Sequence, residues 1–376
     1  MDSELSSWFS TMFCFMFFSF TLLFSLFSLL IYVLRLKLWC NCEICQALLT
    51  SSWTKEFDNL CDYYTHLLKK SPTGTIHIHV LGNIITANPE NVQHILKTRF
   101  ENYPKGKPFS ALLGDLLGRG IFNVDGESWK FQRKMASLEL GSVSIRMHAL
   151  NIVKSEIESR LIPLLSSVSG NKQVVDLQDV FRRFSFDNIS RFSFGLDPGC
   201  LKLSLPVSEF AEAFDLASKL SAQRALAFSP LVWKVKRVLN LGSEKQLKEA
   251  IKMVDEFAQQ MIAERREKGF SENNDLLSRF MGTINDDKYL RDIVISFLLA
   301  GRDTVASGLT SFFWLLSQNP QVESAIRDEL ERVMGSTIIR RFNIRVANPD
   351  QAPKFAPGLT ATVRGGLPIL VQERGA

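Results

Sequence analysis

The segment most able to do chemistry is Ala300-Gly301-Arg302-Asp303-Thr304, which sets an acid, a guanidinium and an alcohol inside an otherwise apolar run, FLLAGRDTVASGLTSFFWLL. Gly, Asp and Thr lower helix propensity, and a buried polar group costs free energy unless it is bonded. Two readings stand level on this pattern alone. Arg302 and Asp303 form a solvent-facing stripe, or the segment is a functional feature of a core helix. Other chemistry is sparse: there is no G-x-S-x-G, no H-E-x-x-H and no G-x₄-G-K-[ST]. All five histidines lie at or before His148, so the second half offers no imidazole base. Gly118-Arg119-Gly120 is too little for a dinucleotide fingerprint.

The six cysteines are Cys14, Cys40, Cys42, Cys45, Cys61 and Cys200. The run CNCEIC lacks the paired C-x₂-C layout of a structural zinc site, so its thiols read as free and reduced. Acylation beside a membrane is the alternative. His77 and His79 share one strand face, and no third ligand is evident for a metal there. The sequence reading therefore assigns no metal ligand.

Trp8 to Leu34 contains no charge and holds eight of the 29 Phe in the chain. At ~1.5 Å per residue it can span the ~30 Å hydrocarbon core of a bilayer. Arg35 and Lys37 follow it directly, whereas Asp2 and Glu4 precede it. That asymmetry predicts a single-pass signal anchor with the body on the cytosolic side. With 46% hydrophobic and 22% charged residues, the 376-residue chain is neither disordered nor collagen-like. Its net charge of +5 is not clustered, which argues against nucleic acid as a partner.

The elements that must position the chemistry are mainly helical, with small β-sheets at both ends. Thr75 to Val80 alternates, Gly82-Asn83 punctuates and Ile84 to Ala87 follows, predicting a hairpin. Asn88-Pro89 predicts a helix start through Lys97. Helices are expected at Ser243–Lys268 and Leu290–Ser317, from Asn319-Pro320 to Gly335, and opening at Asp176 and Pro206. The tail Leu359–Gln372 predicts a second hairpin around Gly365-Gly366.

These residues together resemble the cytochrome P450 family. Ala300-Gly301-Arg302-Asp303-Thr304 is similar to the A/G-G-x-D/E-T signature of the family's I helix. Trp129-Lys130-Phe131-Gln132-Arg133 is similar to its W-x-x-x-R helix. The resemblance is closest to plant family 94, fatty-acid ω-hydroxylases and related jasmonoyl-isoleucine oxidases. CNCEIC, NYPKGKPFSALLGDLLGRGIFN, DLQDVFRRFSFDNISRFSFG, SFLLAGRDTVASGLT and APGLTATVRGGLP carry it. It implies haem b, O₂, electrons from NADPH through cytochrome P450 reductase, and a lipid-like substrate. It also implies catalytic roles for Asp303, relaying protons, and Thr304, bonding at the O₂ site; Gly301 and the Thr304 hydroxyl would open a notch in the helix, and Ala300 and Gly301 would border the haem. Trp129 and Arg133 would hold the haem carboxylates. Phe109 to Phe122 resembles the loop over the substrate, and Phe210 to Trp233 resembles the helices that roof it.

The sequence departs from the family in one decisive place. P450 chemistry needs a proximal Cys thiolate, from an F-x-x-G-x-R-x-C-x-G loop near the C-terminus. That loop is missing, and no Cys follows Cys200. Glu329-Leu330-Glu331-Arg332 fits the family's E-x-x-R by spacing only. Through Gly335 the chain follows the family, and from Ser336 it resembles the end of the fold. The expected organisation is therefore an anchor at 8–34, a connector at 35–72, a P450 body at 73–335 and the C-terminal end of the fold at 336–376, after an internal deletion. An incomplete P450 fold of this kind is expected neither to hold haem nor to turn over, leaving a membrane-anchored, non-catalytic remnant as the alternative function.

Overall fold

The structure is a computed structural model, and it describes residues 2–36, 40–201, 209–226, 230–269, 275–333, 338–350, 352–356 and 358–374. The expected helix start at Pro206 and the join between Gly335 and Ser336 lie outside these residues. Two compact units divide the chain, residues 1–103 and 104–376.

The first unit opens with α1 (Asp2–Leu36), a helix whose described side chains stand exposed, Phe13, Phe15 and Phe18 among them. Then come α2 (Glu43–Leu49), α3 (Leu60–Lys70), β1 (Thr75–Ile78), β2 (Asn83–Thr86) and α4 (Pro89–Gln93). The expected hairpin forms, antiparallel, with Thr75 opposite Thr86 and Ile78 opposite Asn83. Asn88 caps α4 by accepting the backbone N–H groups of Glu90 and Asn91, which removes two orphan donors.

The second unit holds α5 (Gly106–Leu117), α6 (Gly126–Gly141), α7 (Val143–Glu156), α8 (Ile162–Gly170), β3 (Val175–Asp176) and α9 (Leu177–Phe194). It continues with α10 (Glu209–Leu226), α11 (Pro230–Val238), α12 (Gly242–Lys268), α13 (Leu276–Met281), α14 (Asp287–Gln318) and α15 (Pro320–Val333). Last come α16 (Ile338–Arg341), β4 (Phe342–Val346), β5 (Phe355–Ala356), β6 (Thr362–Val363) and β7 (Pro368–Glu373). The architecture is mainly helical with small sheets, as the sequence predicts.

Helix α14 is the central element, started by Asp286, whose carboxylate accepts from the Lys288 and Tyr289 amides. It is long and apolar enough to cross a membrane, but most of its apolar window is buried against its neighbours. Its first half joins α5, α9, α10, α12 and α13 in one apolar cluster, where Leu290, Val294 and Leu298 meet Phe214, Val254 and Phe280. Its second half joins α8, α9 and the sheet through Ala306 and Phe313.

The tail departs from the expected hairpin. Gly365 and Gly366 do make a turn, at φ of 82° and 78°, but the strands on either side enter different sheets. β6 pairs with β5, while β7 lies between β3 and β4. The reason is Asp176, which caps α9 through the Gln178 amide and with the same oxygen accepts the Leu367 amide. A Cβ at Gly366 would stand 2.0 Å from an Asp176 carboxylate oxygen, so the bare backbone lets the turn seat there. The Gln178 side chain completes the seam, donating to the Val363 carbonyl at 2.9 Å and accepting its N–H at 2.7 Å.

Candidate functional site

Helix α14 runs without interruption through the 300–304 segment, so the expected notch does not form. The Thr304 hydroxyl donates to the Ala300 carbonyl at 2.5 Å, a bond to the preceding turn of the same continuous helix. Gly301 serves packing instead: a Cβ there would lie 2.3 Å from Ile189 Cδ1, and α9 can approach only because it is absent.

The stripe reading of Arg302 and Asp303 is also set aside, because both are buried while Thr304 and Val305 stand exposed. Arg302 makes a two-pronged ion pair with Asp215 of α10, at 2.6 and 3.0 Å. Its guanidinium lies over the rings of Phe186 and Phe214, 5.7 and 5.8 Å from their centroids. Asp303 Oδ1 has no hydrogen-bond partner among the described residues. Burial pushes its carboxyl above the ordinary value, and Arg302, 3.8 Å away, pulls the other way without prevailing.

Trp129 and Arg133 sit one turn apart on α6, the first half-buried and the second exposed. Arg133 has no ion-pair partner among the described residues, so its charge is available to a carboxylate. Between them, Gln132 is buried and ties α6 to the loop after α5 by donating to the Arg119 carbonyl at 2.9 Å.

The aromatic residues expected to roof a substrate pocket pack as core. Phe210 stacks on Phe257 with centroids 3.9 Å apart and meets Phe186 at 5.6 Å. An apolar cavity of about 450 Å³ lies elsewhere, walled by α7, α9 and α14. Ile152, Phe184, Ile189, Phe192, Val305 and Leu309 line it, and of the signature residues only Gly301 reaches its wall.

A different set of groups converges in the first unit, where the sequence reading found no partner set. Cys40 Sγ lies 3.4 Å from Cys42 Sγ, and His79 Nδ1 lies 3.5 Å from the one and 3.7 Å from the other. With Cys45, the four ligand atoms all fall within 4.8 Å of one another. Burial pushes the Cys45 thiol up to about 11. Burial also works upward on Cys42, but hydrogen bonds from His79 and neighbouring donors outweigh it and hold that thiol at about 6. The linear spacing hid this cluster because its fourth member comes from the β1–β2 turn, where His79 follows the end of β1. An H-x-H at a hairpin beside three cysteines in six residues was the available signal.

The cytochrome P450 family model matches residues 45–344. The chain belongs to the cytochrome P450 family. Within it, this P450 falls in plant family 94. It is 64% identical over 322 residues to cytochrome P450 94C1 of Arabidopsis thaliana, covering 85% of this chain and 65% of that protein. It is 50% identical over 287 residues to cytochrome P450 94B1 of Arabidopsis thaliana, covering 74% and 56%. It is 44% identical over 289 residues to cytochrome P450 94A1 of Vicia sativa, covering 75% and 56%. The matched region thus spans less than two thirds of each of these relatives. The crystal structure of the cytochrome P450DA heme domain superposes with a TM-score of 0.66 at 14% identity, covering 84% of this chain and 93% of that one, which shows the shared fold.

The family implies haem held by a Cys thiolate. The residues present do not fit it. No Cys lines the 450 Å³ cavity. The only Cys of the second unit, Cys200, follows α9, where its amide donates to Asp187 at 2.8 Å and its carbonyl accepts from Arg183. An apolar slot and a free cation on α6 are in place, and the iron ligand is missing.

Proposed function

We propose that the reaction belonging to this P450's lineage is haem- and O₂-dependent ω-hydroxylation of a fatty-acyl or jasmonoyl-isoleucine-type substrate. Electrons would come from NADPH through cytochrome P450 reductase. The observation that carries this reading is the Ala300–Thr304 signature at the middle of the core helix, with Gly301 in the wall of an apolar cavity. Helix α1, with its exposed Phe and Leu side chains, supports single-pass anchoring in the endoplasmic reticulum membrane with the body in the cytosol.

For the chain as it stands, a second reading is favoured by the cysteine inventory: a membrane-anchored, non-catalytic P450. Three helices wall an apolar cavity, and no thiolate faces it. Transcripts read across Gly335–Ser336 test the two readings together with a product assay. Microsomes carrying this chain and the reductase should give no hydroxylated product from a long-chain fatty acid or from jasmonoyl-isoleucine. A form with an in-frame insert bearing F-x-x-G-x-R-x-C-x-G should hydroxylate at least one of them. Product from the uninterrupted chain overturns the second reading, and an inert insert-bearing form overturns the first.

A further inference from the structure

The geometry points to a zinc site built from Cys40, Cys42, Cys45 and His79, which clamps the segment after α1 onto the β1–β2 hairpin. Zinc bonds of roughly 2.3 Å to sulfur and 2.0–2.1 Å to nitrogen put the ligands of a tetrahedral site roughly 3.5–3.8 Å apart. The separations here, 3.4 Å between Cys40 and Cys42 and 3.5 and 3.7 Å from these to His79 Nδ1, lie close to that without an ion to draw them in. Two sulfurs 3.4 Å apart are too far for a disulfide, which needs about 2.05 Å. Three thiolates and an imidazole suit Zn²⁺ above the hard cations, which prefer oxygen.

Two further features belong to a built site. Cys45 is fully buried, and the Val80 amide donates to its sulfur at 3.3 Å, an outer contact that fixes ligand orientation. Cys42 and Cys45 lie three residues apart at the start of α2, so they share one face of its first turn. Among the described residues the buried core at this point is Cys45, Ile78 and Val80, with seven partly buried neighbours that include Cys40 and Cys42, small enough that a metal staple would matter. A tetrahedral Cys₃His set is closed, so the site is structural and its metal does no chemistry on a substrate.

The test uses the full chain, extracted from membranes in detergent without chelator, with metal content measured by mass spectrometry. About one zinc per chain is expected, falling at least tenfold in Cys42→Ser, Cys45→Ser and His79→Ala and unchanged in Cys61→Ser and Cys200→Ser. Because the first three variants could unfold, alkylation of the unmodified protein gives a second readout. The peptide holding Cys40, Cys42 and Cys45 should resist alkylation and become reactive when a zinc chelator is added, whereas Cys61 reacts at the same rate throughout. Zinc well below one per chain, copper in its place, zinc retained in Cys45→Ser, or acylated or chelator-insensitive thiols at 40–45 would each overturn the assignment. None of these readouts depends on haem or on oxidase activity.

Discussion

Ile189 of α9 occupies the place where a side chain at Gly301 of α14 would begin: the missing Cβ would stand 2.3 Å from Ile189 Cδ1 and 2.5 Å from Cγ1. Alanine in a helix is favoured over glycine by about 1 kcal/mol, while overpacking a core costs about 1–3 kcal/mol. Both residues border the cavity, so Ile189 can swing partly aside. Gly301→Ala should therefore lose about 1 kcal/mol in thermal or denaturant unfolding. Combined with Ile189→Ala it should lose less than the two single changes together, by more than about 0.5 kcal/mol. Strict additivity would mean the two residues do not touch.

The Arg302–Asp215 pair should be costly to break from one side. Arg302 is buried, so removing its partner strands a charge, which typically costs 3–5 kcal/mol when both members are fully buried. Asp215 is 41% exposed at its side chain, which lets water answer part of that cost. Asp215→Ala should lose about 2 kcal/mol, and pairing it with Arg302→Met should recover part of the loss. A single variant as stable as the parent contradicts the observed pairing.

Asp303 should make stability fall as pH rises. Its folded pKa is raised above the ordinary 3.8 by burial, so between 3.8 and the folded value the native state holds more protons than the unfolded chain. Stability from this group is full below that window and is lost as pH climbs through it. Asp303→Asn cannot pay this cost, so its advantage over the parent should be largest near about pH 8 and shrink toward about pH 4. Melting temperatures of the two proteins across that range check the sign. An advantage that grows on acidification would refute it.

Gln178 should report on whether the C-terminal strands are seated as described. Its amide satisfies both backbone groups of Val363, and all of these atoms are buried. Gln178→Ala would orphan a buried N–H and C=O, each worth about 1–3 kcal/mol. A loss of about 2–3 kcal/mol is expected, together with faster amide exchange at Val363 and Leu367. Unchanged exchange there would show the tail held by other means.

Much of this was legible in the sequence because the signals were local. Asn88, Asp176 and Asp286 cap the helices they precede, and Gly82-Asn83 turns a hairpin, since each needs only a few neighbouring residues. What failed was set by partners far along the chain. Gly365-Gly366 turns as expected, but Asp176, nearly two hundred residues earlier, decides where the following strand goes. Arg302 and Asp303 could not be placed inside or outside without Asp215, and the Cys40–Cys45 run could not be paired with His79 without the hairpin's position. The missing thiolate, by contrast, was legible at once, because a cysteine count requires no fold.

One spectrum addresses that missing ligand directly. The full chain, expressed in microsomes with haem precursor supplied, is reduced and exposed to carbon monoxide. No thiolate-ligated haem band is expected, and any weak signal should belong to haem bound without sulfur. A stoichiometric thiolate-type band that survives Cys200→Ser and the loss of Cys14, Cys40, Cys42, Cys45 and Cys61 would contradict this outright, and a band abolished by one of those changes would contradict it too, naming the ligand.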